Sequence, residues 1–202
     1  MSGNRPHQGV VLEASPLKTV ELSHLSFVDS EGRYTLEGIG ESRQSTKPLW
    51  LAMDQIQDPH NLGSILRTSY FLGIDGVIVS SKNSAPLSPT VSKVSAGAME
   101  LMPVYSAKNL VNFLSASKEA GWSIIGASAL SSPSKGIIHV DKEHHPIPFP
   151  THARILVVGN EGKGLRTHIH RLCTSIASIQ GNPIINSLNV GVATAILLQA
   201  IH

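Results

Sequence analysis

From Pro48 to the C-terminus the sequence alternates short apolar runs with segments of helical periodicity, and this alternation limits the fold more than any other feature. Leu49-Trp-Leu-Ala-Met53, Gly76-Val-Ile-Val-Ser80, Trp122-Ser-Ile-Ile-Gly126 and residues 154–159 and 174–179 read as buried strands. Between them, Asn61 to Leu72 sets Leu62, Ile65, Leu66, Ser69 and Tyr70 on one helical face and stops at Gly73. Ala107 to Ala120 is an amphipathic helix stopped by Gly121, Ser88 to Gly97 is weakly helical, and Leu165 to Leu172 is a short helix. Leu101 to Tyr105 reads as extended, and residues 131–152, rich in Ser, Pro and His, as a long loop. Residues 188–201 form a last helix that is apolar on nearly every face, which predicts burial all round, in the core or at a subunit interface. Strands alternating with helices give an α/β fold on a mostly parallel sheet.

Residues 1–47 have a different texture, rich in Ser, Glu, Gly and Pro. They read as an arm or linker with one short strand or helix, and with a loop at Asp29 to Arg33, ahead of a main domain over 48–202. No apolar stretch approaches the ~20 residues that span a bilayer, so no membrane segment is expected. Cys173 is the single cysteine, which excludes an intrachain disulfide and a cysteine-based zinc site. The histidines, including His144, His145, His168 and His170, lack metal-ligand spacing and read as surface residues, so no metal is expected. A net charge of +2 permits a nucleic-acid partner without requiring one. An aromatic content of 4% argues against a stacking platform for single-stranded bases.

Three polar clusters interrupt the apolar pattern. Asp58-Pro-His-Asn-Leu-Gly63 opens a helix; Asn61 suits its N-cap, and Arg67 flanks the apolar face six residues later. Gly159-Asn-Glu-Gly-Lys-Gly164 follows a strand, and its three glycines allow positive φ and close backbone approach to a ligand. It is neither a Walker A loop nor a Gly-x-Gly-x-x-Gly fingerprint, which weakens the reading of a generic nucleotide-binding domain. Asn186-Ser-Leu-Asn189 precedes the last helix, which Ser187 or Asn189 could cap.

In this order and spacing the clusters resemble the three signature motifs of the SpoU (TrmH-type) RNA 2′-O-ribose methyltransferases: Gln57 to Thr68, Ile155 to Leu165 and Ser187 to Leu198. The resemblance covers about residues 48–202. His7-Gln-Gly-Val-Val and Asn83 to Glu100 are closer to the subgroup of bacterial RlmB and its mitochondrial counterpart, which methylates a guanosine ribose of large-subunit rRNA. Gly191 departs from the serine common at that place, which should loosen the helix start.

The resemblance implies an α/β sheet with a deep C-terminal trefoil knot, a homodimer, S-adenosylmethionine as cofactor and large-subunit rRNA as substrate. It implies a mitochondrial matrix location, or the cytoplasm for a bacterial chain. It places Gly159, Ile179 and Leu188 at the cofactor's adenosine and ribose, with Asn160 and Gly164 in the same loop and Ala127 and Ser128 nearby. It makes Asn61, Arg67, Glu161, Ser187 and Asn189 the catalytic and substrate-orienting set. Arginine stays protonated, so Arg67 is expected to clamp an RNA phosphate and not to act as a base. Members of the subgroup carry an N-terminal RNA-binding domain, so the chain is expected to be the catalytic domain and linker of a longer protein. A tRNA 2′-O-methyltransferase, or a non-catalytic RNA-binding or ribosome-assembly factor of the same fold, are the alternatives.

Overall fold

The computed structural model describes residues 9–128, 136–140, 153–182, 184 and 187–202. Eight strands form one sheet: β1 (Val20–Glu21), β5 (Leu49–Met53), β6 (Gly76–Ser80), β7 (Val104–Ala107), β8 (Ser123–Ala127), β9 (Gly136–Val140), β10 (Arg154–Val158) and β11 (Ser175–Ile179). Their order is β1-β7-β6-β5-β10-β8-β11-β9, and every pairing is parallel. The helices are α1 (Pro59–Leu72), α2 (Pro89–Ser95), α3 (Ala98–Leu101), α4 (Leu110–Glu119), α5 (Thr167–Leu172) and α6 (Val190–Ile201).

A parallel sheet must be covered on both faces, and the two-residue period of each strand divides its side chains accordingly. Leu49, Leu51 and Met53 of β5 and Leu156 and Val158 of β10 join a core with Leu62, Ile65 and Leu66 of α1 and Leu197, Leu198 and Ile201 of α6. Trp50, Ala52, Ile155 and Val157 turn to the opposite face, toward Phe113 and Leu114 of α4 and Ile169 of α5. Gly63 lets α1 and α2 meet closely, since a Cβ there would lie 2.7 Å from the Val94 Cβ.

The segment before Pro48 is more ordered than its composition predicts. It contributes β1 to the sheet edge and adds a three-stranded antiparallel sheet of β2 (His24–Leu25), β3 (Arg33–Glu37) and β4 (Glu41–Gln44). Leu22, Leu25, Tyr34 and Leu36 are buried in the second core, the Tyr34 ring meets Trp122 edge-on at 5.3 Å, and the Trp50 indole donates to the Tyr34 hydroxyl at 3.1 Å. Burial raises the Tyr34 pKa above its ordinary value. The apolar residues of this arm are separated by polar ones at strand spacing, and with strands this short the pattern is hard to see before a partner surface is known.

Two other elements differ from expectation. β9 lies inside the segment read as a loop, because the β-branched run Ile137-Ile138 and Val140 pair with β11; the remainder of 131–152 lies outside the described residues. Leu101 closes α3, and the extended run starts only at Val104. Within one chain α6 turns Gly191, Thr194, Leu197, Leu198 and Ile201 to the core and leaves Val192 50% and Ile196 37% exposed, so covering that face would take a subunit interface.

Arg154 fastens the end of α6 to the sheet. It is buried at the start of β10, and its guanidinium donates to the carbonyls of Ile201 and Lys47. Burial lowers its pKa, opposed by the charge of Asp75. Arg154→Met would leave both carbonyls without this donor. The expected loss is about 3–6 kcal/mol of unfolding free energy, since hydrogen bonds from a charged group each contribute about 1.5–3 kcal/mol. Urea denaturation checks this, and an unchanged midpoint would show that the fastening is dispensable.

Candidate active site

The carboxyl ends of parallel strands share one edge of the sheet, and ligands of open α/β sheets bind outside that edge. Here β10 lies between β5 and β8, with β11 next to β8. The loops after β5, β8, β10 and β11 therefore converge. They bring Ala127 and Ser128, Gly159 with Asn160 and Gly164, and Ile179 to one edge. Ala127 and Ile179 are half-buried against the core, and the Ser128 amide donates to the Ala177 carbonyl at 3.0 Å. Leu188 stands half-exposed in the loop before α6.

The glycine loop closes tightly on itself. The Asn160 and Gly164 backbones exchange hydrogen bonds of 3.2 and 2.8 Å. A Cβ on Gly159 would lie 2.3 Å from the Gly164 carbonyl carbon and 2.5 Å from the Leu165 nitrogen. Gly164 has φ +66°, a left-handed value that favours glycine. Thus Gly159 serves close approach and Gly164 serves positive φ. The Asn160 carbonyl side-chain oxygen caps the turn by accepting from the amides of Gly162 and Lys163 at 3.0 and 3.1 Å.

Asn61 is the hub of the site. It does not cap α1: that position belongs to Asp58, whose carboxylate accepts from the His60 amide at 2.8 Å, with Pro59 in the first turn. Asp58 wins because it immediately precedes a proline, whose fixed φ suits the first helical position. Asn61 is thereby carried inside the first turn and is 8% exposed. Its Nδ2 donates to Glu161 Oε1 at 3.2 Å, and its Oδ1 accepts from Asn189 Nδ2 at 2.9 Å. Asn189 also caps α6, its Oδ1 accepting from the amides of Gly191 and Val192 at 2.9 and 3.3 Å. One amide thus starts the last helix and reaches the first.

Glu161 holds the loop to the turn before α1. Beside Asn61, its carboxylate accepts from the Asp58 amide at 3.2 Å, the Asn160 amide group at 3.3 Å and, at the long limit, the Gln57 amide at 3.5 Å. Asn160 Nδ2 also reaches the Gln55 carbonyl at 3.0 Å. Gln55 is a non-glycine at φ +60°, a strained conformation held from both sides, its amide donating to Ser80 Oγ at 2.9 Å.

The structure brings Asn61, Glu161 and Asn189 together, but not the whole predicted set. Arg67 is exposed two turns along α1, in a groove shared with Phe71, Leu101, Ala195 and Gln199, and makes no ion pair among the described residues. Ser187 is exposed beside the cluster and hydrogen-bonds to none of its members. Asn186 lies outside the described residues. Gly191 is buried in the first turn of α6, and a Cβ there would lie 2.6 Å from Ser64 Oγ of α1, so the two helices meet closely at this point.

One pair escaped the sequence reading. Asp54, 1% exposed at the end of β5, accepts from Arg166 at 2.6 and 2.8 Å. These hydrogen bonds raise the Arg166 pKa. The available signal was an acid placed directly after five apolar residues. Among the described residues no group of three or more His, Cys, Asp or Glu is placed to hold a metal, and no helix is long and apolar enough to cross a membrane.

Residues 48–199 match the SpoU rRNA Methylase family. The chain is 39% identical to "rRNA methyltransferase 1, mitochondrial" of Schizosaccharomyces pombe, over 98% of this chain and 69% of that protein. It is 36% identical to "23S rRNA (guanosine-2'-O-)-methyltransferase RlmB" of Pseudomonas aeruginosa, over 95% of this chain and 68% of that protein. An AdoMet-bound rRNA methyltransferase structure from Sinorhizobium meliloti aligns with a TM-score of 0.64 at 25% identity, over 79% of this chain and 61% of that one. The chain spans between 39% and 69% of the length of the mitochondrial rRNA methyltransferases it matches, about half. With three polar clusters assembled at one sheet edge and the match running from β5 into α6, the chain belongs to the SpoU rRNA Methylase family.

Proposed function

We propose that the chain is the catalytic domain of an S-adenosylmethionine-dependent methyltransferase acting on a guanosine 2′-hydroxyl of large-subunit rRNA in the mitochondrion. The observation that carries this reading is the Glu161–Asn61–Asn189 cluster standing beside the glycine loop. The names of the mitochondrial relatives support the compartment and the rRNA, and that of the Pseudomonas relative supports the guanosine.

The residues present fit the cofactor. The edge at β8, β10 and β11 offers half-buried Ala127 and Ile179 and exposed Leu188 beside polar loops, with Gly159 keeping the wall thin. Ala127, Ser128, Gly159, Asn160, Gly164, Ile179 and Leu188 would hold it. When bound, it supplies an electrophilic methyl group.

The chain's own residues position the acceptor. Asn61 is locked by two hydrogen bonds, so its amide cannot turn over without losing both. Glu161 is occupied in holding the loop, which makes it an orienting group, and exposed Ser187 is free to meet the ribose. Arg67 clamps an RNA phosphate with its guanidinium, leaving the proton of the 2′-hydroxyl to that phosphate or to water. Holding hydroxyl and methyl donor in line supplies much of the acceleration.

Two further features belong to this reading. The deep C-terminal trefoil knot is supported by β10 lying between β5 and β8 while α6 returns onto α1. The homodimer is supported by the apolar groove of about 680 Å³ along α1, α3 and α6, where Phe71 is 85% and Leu101 66% exposed. A second copy seated there would cover these side chains, Val192 and Ile196, and would bring Arg67 to the interface. Val192→Glu with Ile196→Glu is expected to halve the mass seen by light scattering while the fold persists. A wild-type monomer would end the dimer reading.

Calorimetry with S-adenosylmethionine and methyl transfer to large-subunit rRNA test the function. Saturable binding with transfer to a ribose supports it. Absence of cofactor binding would refute it, and transfer to tRNA in preference to rRNA would move the substrate.

A further inference from the structure

The Asp54–Arg166 pair lies apart from the Glu161–Asn61–Asn189 cluster and shares no hydrogen bond with it among the described residues. Two loops, residues 54–58 and 159–166, are joined side by side: Arg166 to Asp54, Asn160 to Gln55, and Glu161 to the amides of Gln57 and Asp58. Glu161 stands within this seam, and Arg166 ends it.

The pair is lopsided. Asp54 is 1% exposed, whereas 42% of the Arg166 side chain is in solvent. Asp54 takes the Nε and one Nη2 proton of Arg166, and the Nη1 side has no partner among the described residues. A guanidinium is a planar fork whose free edge suits a second anion, and its rotamer is already fixed by the first. Lys163 and His168, close in sequence, are also exposed, and the two exposed carboxylates of the seam are engaged elsewhere, Glu161 by the 55–61 segment and Asp58 by the His60 amide.

We infer that Arg166, oriented by the buried Asp54 carboxylate, is a phosphate-binding residue of the RNA site, distinct from Arg67. The anion it takes is a backbone phosphate of the RNA whose ribose approaches Asn61 and Glu161. The inference rests on the methyltransferase reading only in requiring an RNA at this edge.

The test uses the whole chain and a hairpin from large-subunit rRNA, with affinity measured from 50 to 300 mM KCl. Arg166→Gln alone would strand a buried carboxylate, so the informative variant is Asp54→Asn with Arg166→Gln, which removes both charges. Lys47→Gln, at the opposite end of β5, controls for loss of one positive charge. The double variant is expected to bind the hairpin about tenfold more weakly, with a salt slope smaller by about one than wild type. Its S-adenosylmethionine affinity should stay within about twofold of wild type, since the fork carries no cofactor contact in this proposal. The control should keep the wild-type slope.

A folded double variant, with cofactor binding intact and unchanged hairpin affinity and slope, would reduce the pair to a loop fastening. A drop in both affinities in parallel with a lowered melting temperature would do the same. If the wild-type chain binds no S-adenosylmethionine, the methyltransferase reading fails. If it binds the cofactor and the hairpin but Arg166 proves indifferent, only this inference fails.

Discussion

Gly159→Ala is expected to weaken S-adenosylmethionine binding by about 100-fold or more, equivalent to about 2.7 kcal/mol. The added Cβ would meet the Gly164 carbonyl carbon at 2.3 Å, its oxygen at 2.4 Å and the Leu165 nitrogen at 2.5 Å. All three are backbone atoms, so no rotamer change relieves the clash, and the loop must open. Opening breaks the Asn160–Gly164 exchange and lifts Glu161 from the turn before α1. The strand beneath is fully buried and paired on both sides, so the sheet should survive. Calorimetry together with circular dichroism separates these effects. Cofactor affinity within about threefold of wild type would mean that this loop does not line the cofactor site. Gly162→Ala is the natural comparison, because the nearest atom to its Cβ is Asn160 Oδ1 at 3.7 Å. It should bind nearly as wild type.

Asn61→Asp should have the larger effect on turnover, with methyl transfer falling by about 100-fold or more while cofactor binding changes little. The substitution alters no volume. It replaces the donor that faces Glu161 Oε1 at 3.2 Å with a second oxygen, setting two carboxylates together at the loop seam. The acceptor for Asn189 Nδ2 would survive, so α6 should keep its start. The site can then relax only by turning Glu161 away or by binding a proton between the two acids. The second route predicts partial recovery of transfer as the pH is lowered toward the carboxylate range, because a shared proton restores the missing hydrogen bond. Single-turnover transfer measured against pH reads both effects. Wild-type rates would show that the Asn61–Glu161 contact is not used in catalysis.

Much of the scaffold was legible from sequence because burial leaves a local trace. The largely apolar runs at 49–53, 76–80 and 154–158 are strands in the structure, and Gly73 ends α1 in the left-handed conformation, its amide bonding to Ser69 and Tyr70. Where the trace was thin the reading fell short. The arm before Pro48 packs Tyr34 and Leu36 against a surface formed by distant residues, and β9 is a five-residue strand between Ser- and His-rich stretches. The final helix shows how far composition goes: its apolar sequence is real, yet Val192 and Ile196 remain exposed in a single chain. Hydrophobicity reports that a face must be covered and does not name what covers it.

The sequence by itself determined which residues could do chemistry here: three polar clusters in a fixed order, each at the end of an apolar element. The tertiary structure alone decided which of them meet. Glu161 reaches Asn61 across 100 positions and Asn189 reaches it across 128, whereas Arg67, six residues from Asn61, points into a different groove. Asp54 and Arg166, 112 positions apart, became a pair only because β5 and β10 are neighbours. Periodicity is a property of a few consecutive residues and fixes which side of an element is buried. Strand order and register are set by packing across the whole chain, and they alone bring the ends of distant strands to one edge.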